Sequence, residues 1–200
     1  MEGTMKTAVM TGISQVEIQE RPIPVPADNE VLVKVEYVGI CGSDLHYYES
    51  GRIGDFVVEP PFVLGHEAGG TVVETGAGVT DLKVGDRVAL EPGKTCGHCE
   101  HCKEGKYNLC EDVIFFATPP VDGVFQEYVA HEAGLCFKLP ENVSTMEGAL
   151  IEPLAPGRRT SVPDCGCDRS GLYRSVYAAF PARYGRFQNH CGGCDAEASG

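Results

Sequence analysis

The chain has 200 residues, a formal net charge of −13, 42% hydrophobic and 22% charged residues, which is the composition of a soluble globular protein with room for one good core. So acidic a balance opposes phosphate binding and sets nucleic acid aside as a partner, despite several closely spaced cysteines. The opening Met-Glu-Gly-Thr-Met-Lys has no apolar signal core and no later run is long enough to span a bilayer, so no membrane association and a cytoplasmic location are expected.

Residues 1–140 read as short strands broken by Gly and Pro. Residues 15–20 alternate, with Val16 and Ile18 on one face, and residues 30–38 alternate more clearly through Val31, Val33 and Val35. Further strands are expected over 70–74, 86–90, 125–130 and 136–139. Many short strands with turns between them point to a small barrel or sandwich. One helix start stands out: Ser144-Thr145-Met146-Glu147 has the spacing of a capping box, and Pro153 is expected to end that helix.

Two glycine-flanked pairs lie among these strands. Cys41-Gly-Ser43-Asp44-Leu-His46 follows the 30–38 strand, and Gly65-His66-Glu67-Ala-Gly-Gly follows Pro60-Pro61. A thiolate and an imidazole satisfy zinc, a carboxylate supplies a further oxygen, and glycine lets the backbone close around an ion. Glu152, in Ile-Glu-Pro-Leu, is another candidate carboxylate. Cys96, Cys99, Cys102 and Cys110 follow a C-x2-C-x2-C-x7-C spacing. That spacing lets four thiolates reach one centre at about 2.3 Å, as in closed structural zinc sites. Cys136 sits in an apolar strand pattern and is read as core, while His98, His101 and His131 receive no role.

Together with Val84-Gly-Asp-Arg-Val88, these motifs resemble the zinc-dependent medium-chain alcohol dehydrogenases. Tyr47-Tyr48, Gly51-Arg-Ile-Gly54 and the run from Phe115-Phe116 to Asp122-Gly123 are similar to the sorbitol/xylitol (polyol) dehydrogenase branch. The resemblance covers residues 5–155. It implies a mainly β fold, a GroES-like, partly open β-barrel catalytic domain with short helices over 1–155, normally followed by an NAD-binding Rossmann domain. It further implies Cys41, His66 and Glu67 as catalytic zinc ligands, with Glu152 close to the metal, and the four cysteines as ligands of a structural zinc. The implied reaction oxidises a polyol or secondary alcohol to a ketone by hydride transfer to NAD. Ser43 would take the hydroxyl proton and His46 pass it to solvent. Tyr47 and Phe115 would line the substrate pocket. Homo-oligomers are usual in the family.

The character changes after residue 155. Residues 1–155 hold seven Lys, three Arg and 25 acidic residues, whereas 156–200 hold six Arg, no Lys, four acidic residues and the cysteines Cys165, Cys167, Cys191 and Cys194. No G-x-G-x-x-G opens a helix there, so a Rossmann domain is absent from this reading. Back-translated with permitted codons and read one nucleotide later, residues 164–175 become T-V-V-V-T-G-A-G-C-I-G-L and residues 188–199 become K-I-I-V-V-D-V-T-R-K-R-L. These are a strand running into a dinucleotide fingerprint and a second strand ending in Asp, so 156–200 is read as a disordered, frameshifted tail. The alternative to a dehydrogenase fragment is a catalytically silent zinc-binding remnant.

Overall fold

A computed structural model describes residues 2–158. The chain divides into two units, residues 1–152 and 153–200, and the account below concerns the first, with the helix that continues to residue 158. The shifted-frame tail and Cys165, Cys167, Cys191 and Cys194 lie outside the described residues.

The strands are β1 (Thr4–Gly12), β2 (Gln15–Pro22), β3 (Glu30–Gly39), β4 (Arg52–Ile53), β5 (Phe56–Val57), β6 (Phe62–Val63), β7 (Glu67–Thr75), β8 (Arg87–Leu90), β9 (Gly93–Lys94), β10 (Ile114–Phe115), β11 (Tyr128–Glu132) and β12 (Cys136–Lys138). The helices are α1 (Gly42–Ser50), α2 (Glu100–Lys103), α3 (Thr145–Ala149) and α4 (Ile151–Arg158). This is the mainly β architecture with short helices that the motifs imply. Among the described residues every strand pair is antiparallel.

A five-stranded sheet of order β11-β3-β7-β8-β12 forms the centre. Its core gathers Val31, Val33, Val72, Val88, Leu90, Val124 and Val129, with Cys136 buried among them as expected. Three successive β3 residues, Val31, Leu32 and Val33, are fully buried, so both faces of this strand are covered at its start. A second sheet, β2-β1-β6, accompanies a smaller core of Met10, Tyr47, Val58, Phe62 and Leu64.

The departures from expectation have local causes. Strand β1 is unannounced because its buried alternation, Met5-Thr7-Val9, runs through a threonine that is fully buried. Val16 and Ile18 share a strand as predicted, yet both are exposed; β2 lies at the edge of its sheet. Strand β11 starts at Tyr128 and not at 125, since Phe125 is drawn away by hydrogen bonds: its N–H donates to Leu64 (2.9 Å) and its carbonyl accepts from Ala8 (2.8 Å). Strand β8 starts after Asp86, whose carboxylate accepts the Lys83 amide at 3.1 Å.

The capping box is present: the Ser144 amide donates to Glu147 Oε2 at 2.8 Å and the Glu147 amide donates to Ser144 Oγ at 3.2 Å. Pro153 does not end this helix. It stands in the first turn of α4, where a missing N–H costs no helical bond. Helix α3 is seated on the sheet by one carboxylate. Thr145 Oγ1 donates to Glu36 Oε2 (2.7 Å) and Thr71 Oγ1 to Glu36 Oε1 (2.8 Å), and these bonds hold the Glu36 carboxyl below its ordinary pKa. A side chain at Gly69 would strike the Thr145 carbonyl, so the close approach of helix and strand requires glycine there.

His131 on β11 is 5% exposed; its Nε2 lies 2.8 Å from the Glu91 carbonyl. Burial lowers its pKa from 6.5, against the opposing pull of that carbonyl and of Glu132 and Glu30.

Two outcomes follow. Leu32→Ala removes a fully buried side chain between covered faces and is expected to cost about 2–5 kcal/mol in urea unfolding. Below the unfolded pKa of 6.5 the unfolded chain binds a proton that buried His131 refuses, so stability falls as pH drops through that value, by at most about 1.4 kcal/mol per pH unit. Comparison of wild type with His131→Gln, by urea midpoints between neutral and mildly acidic pH, isolates this contribution. The variant is expected to show the shallower dependence.

Candidate metal centres

The first centre is assembled by two turns that one carboxylate ties together. Asp44, in the first turn of α1, is 2% exposed. Its Oδ2 accepts the Cys41 amide at 3.0 Å and its Oδ1 accepts the Gly65 amide at 2.8 Å, joining the segment that carries Cys41 to the segment that carries His66. The same Oδ1 is 3.7 Å from His66 Nδ1, beyond hydrogen-bond range but close enough for its charge to act on the orientation of the ring.

Glu67 opens β7 and pairs with Gly39 at the end of β3. A Cβ at Gly39 would collide with the Glu67 carboxylate, so the absent side chain leaves the space in which that carboxylate lies. Gly65, at φ 92°, turns the chain where a Cβ would collide with the Phe125 ring. The result brings one ligand atom each of Cys41, His66 and Glu67 within 4.8 Å of one another. His66 and Glu67 are buried and Cys41 is half-buried. One soft thiolate, one imidazole and one carboxylate form a donor set that suits zinc and leaves room for a further ligand.

Burial raises the Glu67 pKa, with His66 opposing and Asp44 reinforcing the rise. Glu152 is pushed up to about 7, first by burial and then by the charges of Glu67 and Asp44. Three carboxyl groups thus feel one another around this centre, and a divalent cation relieves that repulsion. Glu152 is outside the mutually close set of three.

The other predicted residues take distinct positions. Ser43 is half-buried and His46 exposed in α1. Tyr47 packs into the second core beside Met10 and Phe62, and burial raises its pKa. Phe115 reaches His66, with ring centroids 5.7 Å apart. Asp44 and Gly39 received no role from the sequence, although Asp44 stands three residues after Cys41, the spacing of a helix-capping acid.

The second centre is the four-cysteine excursion between β9 and β10, whose sulfurs are mutually within 4.8 Å. A tetrahedron of about 2.3 Å metal–sulfur bonds has edges of about 3.8 Å; Cys96 Sγ and Cys102 Sγ are 3.9 Å apart. Amides already point at these sulfurs: Cys99 N–H at Cys96 Sγ (3.3 Å), Cys102 N–H at Cys99 Sγ (3.4 Å) and Cys96 N–H at Cys110 Sγ (3.4 Å). Hydrogen bonding from the His98 backbone leads in lowering Cys96 to about 6, whereas burial and neighbouring cysteines push Cys102 up to about 11. The cluster fits a structural zinc, which is bound with loss of thiol protons. His98 is exposed, whereas His101 is half-buried with its Nδ1 enclosed.

Residues 27–141 match the family described as the alcohol dehydrogenase GroES-like domain. The chain is 56% identical over 153 residues to a sorbitol dehydrogenase of Bacillus subtilis, covering 76% of this chain and 43% of that protein. It is 58% identical over 147 residues to the "Probable D-xylulose reductase A" of Aspergillus clavatus, covering 73% and 41%. A solved Escherichia coli oxidoreductase/dehydrogenase of unknown specificity superposes with a TM-score of 0.73 at 48% identity, covering 78% of this chain and 45% of that one. The chain therefore spans less than half the length of these relatives. With both centres arranged as described, residues 27–141 place this chain in the GroES-like domain family of the zinc-type medium-chain alcohol dehydrogenases.

Proposed function

We propose that this chain is the metal-bearing catalytic portion of a zinc-dependent polyol dehydrogenase, of the type that oxidises a polyol or secondary alcohol to a ketone with NAD. The observation that carries the reading is the convergence of Cys41, His66 and Glu67 within 4.8 Å on turns held by Asp44. In this reading those three residues hold the catalytic zinc, Glu152 stands by it, and Cys96, Cys99, Cys102 and Cys110 hold the structural zinc. Zinc in the first site supplies Lewis acidity toward an alcohol oxygen.

The chain's own groups do the rest of the work assigned to this half. Ser43 accepts the substrate hydroxyl proton as it passes its own on toward His46, which, exposed to water, gives a proton to solvent. Phe115 forms an apolar wall beside His66, and Tyr47 bounds the pocket from the second core. The described residues do not fit NAD: their strand pairs are all antiparallel, without the parallel βαβ unit that cradles a dinucleotide. Hydride transfer is therefore not assigned to residues 2–158 alone. The thiolate ligands suit a reducing compartment such as the cytoplasm, and residues 156–200 are read as the product of a shifted frame, which sequencing of the encoding DNA checks.

Metal analysis tests the assignment. The purified chain is expected to hold about two zinc ions, falling to about one in Cys41→Ser and in His66→Ala. Cys102→Ser is expected to empty the other site and to lower the melting temperature, because closed zinc sites contribute folding energy. A wild-type chain with one zinc, unchanged in the Cys41 and His66 variants, overturns the catalytic-site reading.

Gly39→Ala supplies an independent check. Its methyl group enters the space of the Glu67 carboxylate. Weaker cobalt binding at the first site is expected, about 10–100-fold as for other disturbed metal supports, with tetrad absorption bands unchanged. In wild type loaded with cobalt, added sorbitol or xylitol is expected to shift the first site's visible bands.

A further inference from the structure

Strands β9 and β10 zip the base of the four-cysteine excursion, with Ile114 opposite Lys94 and Phe115 opposite Gly93. The two aromatic residues at the end of this base diverge. The Phe115 ring lies 5.7 Å from that of His66, tilted by 56°, whereas the Phe116 ring lies 4.7 Å from that of His131, tilted by 43°. The chain then turns sharply. Ala117 is buried with a left-handed φ of 53°, and the Thr118 amide closes back on the Phe115 carbonyl at 3.2 Å. A non-glycine residue in that region stores strain that its surroundings must hold.

One imidazole touches both limbs of this base. His131 belongs to β11 and pairs in register with Val31 of the central sheet, so its backbone is firmly anchored. Its Nε2–H donates to the Glu91 carbonyl on the outgoing limb at 2.8 Å, while its ring meets that of Phe116 of the returning limb at a tilt. The limbs are also joined by the Phe116 amide, which donates to the Pro92 carbonyl at 3.1 Å. Phe116 itself is packed against the main core. Phe115 is tied to both limbs, since it precedes Phe116 in the chain and pairs with Gly93 across the base.

We infer that His131 is a positioning residue for Phe115: by holding Glu91 and Phe116 it fixes the aromatic wall against His66 and so shapes the space beside the first metal centre. Its functional meaning rests on the reading of His66 as a catalytic-zinc ligand. The contacts of His131 with Glu91 and Phe116 set where the Phe115 ring sits whether or not His66 holds a metal. Buried histidines are usually satisfied core groups; this one is distinguished by contacting both flanks of the base, Glu91 ahead of β9 and Phe116 just after β10.

Nuclear magnetic resonance of the full chain, isotopically labelled and loaded with zinc, tests the inference through the ring-current shift that Phe115 imposes on the His66 ring protons. Phe115→Leu defines complete loss of that shift. His131→Gln, which keeps a donor but removes the ring, and Phe116→Leu are each expected to move the His66 signals at least halfway to the Phe115→Leu position. His131→Phe, which restores a ring against Phe116, is expected to recover part of the shift. The Val58 methyl signals, from the second core, which does not include Phe116 or His131, are expected to stay in place throughout, which separates loss of positioning from loss of fold. Should His131→Gln fail to fold, Phe116→Leu decides the matter. His66 signals that remain at their wild-type position in the folded variants overturn the inference, as does a Phe115→Leu variant that leaves His66 unmoved. Failure of the zinc reading registers separately, as wild-type His66 nitrogen shifts that do not respond to metal loading.

Discussion

Asp44 is the constraint on which the first centre depends. Its two oxygens accept amides from Cys41 and Gly65, residues far apart in the chain that precede or carry metal-type ligands. A buried carboxylate without partners would be costly, whereas one that accepts amides from two separate turns fixes their relative position. The neighbouring His66 gains an orienting charge from the same atom. Loss of either bond would leave a buried acceptor short of a partner and loosen the approach of Cys41 to His66.

The same concentration of acids makes the centre expensive without a cation. Glu67 and Glu152 are both raised in pKa by burial, and each also feels Asp44. In the proposed reading of this centre a bound cation relieves that repulsion, which links metal affinity to the stability of this corner. The four-cysteine centre meets the problem differently. Backbone amides are aimed at three of its sulfurs, those of Cys96, Cys99 and Cys110, and hydrogen bonding lowers the pKa of Cys96, whereas burial raises that of Cys102. Its candidate ligands are local in sequence, whereas the candidate ligands of the first centre require β3 and β7 to be paired.

That pairing explains why the sheet and the site cannot be separated. The register that places Gly39 opposite Glu67 also places Glu36 where it accepts hydroxyls from Thr71 and Thr145. Helix α3 is thereby seated on the sheet just before the chain reaches Glu152. A slip of one residue in β3 would turn its side chains to the opposite face and dismantle both arrangements together.

The sequence by itself determined the parts whose information is local. Alternation marked β2 and β3, the serine and glutamate spacing marked the start of α3, and the cysteine spacing marked a closed four-thiolate site. The grouping of Cys41, His66 and Glu67 was legible through their motifs. Tertiary structure alone decided what depends on distant partners: that Phe125 leaves β11 to bond Leu64 and Ala8, that buried Thr7 lies within a strand, that Asp44 bridges two turns, and that Gly39 must be empty for Glu67. His131 lacked a role in sequence because neither Glu91 nor Phe116 is near it along the chain. Periodicity records which face a residue presents, but the identity of the group that meets that face is set only when strands far apart in sequence come into register.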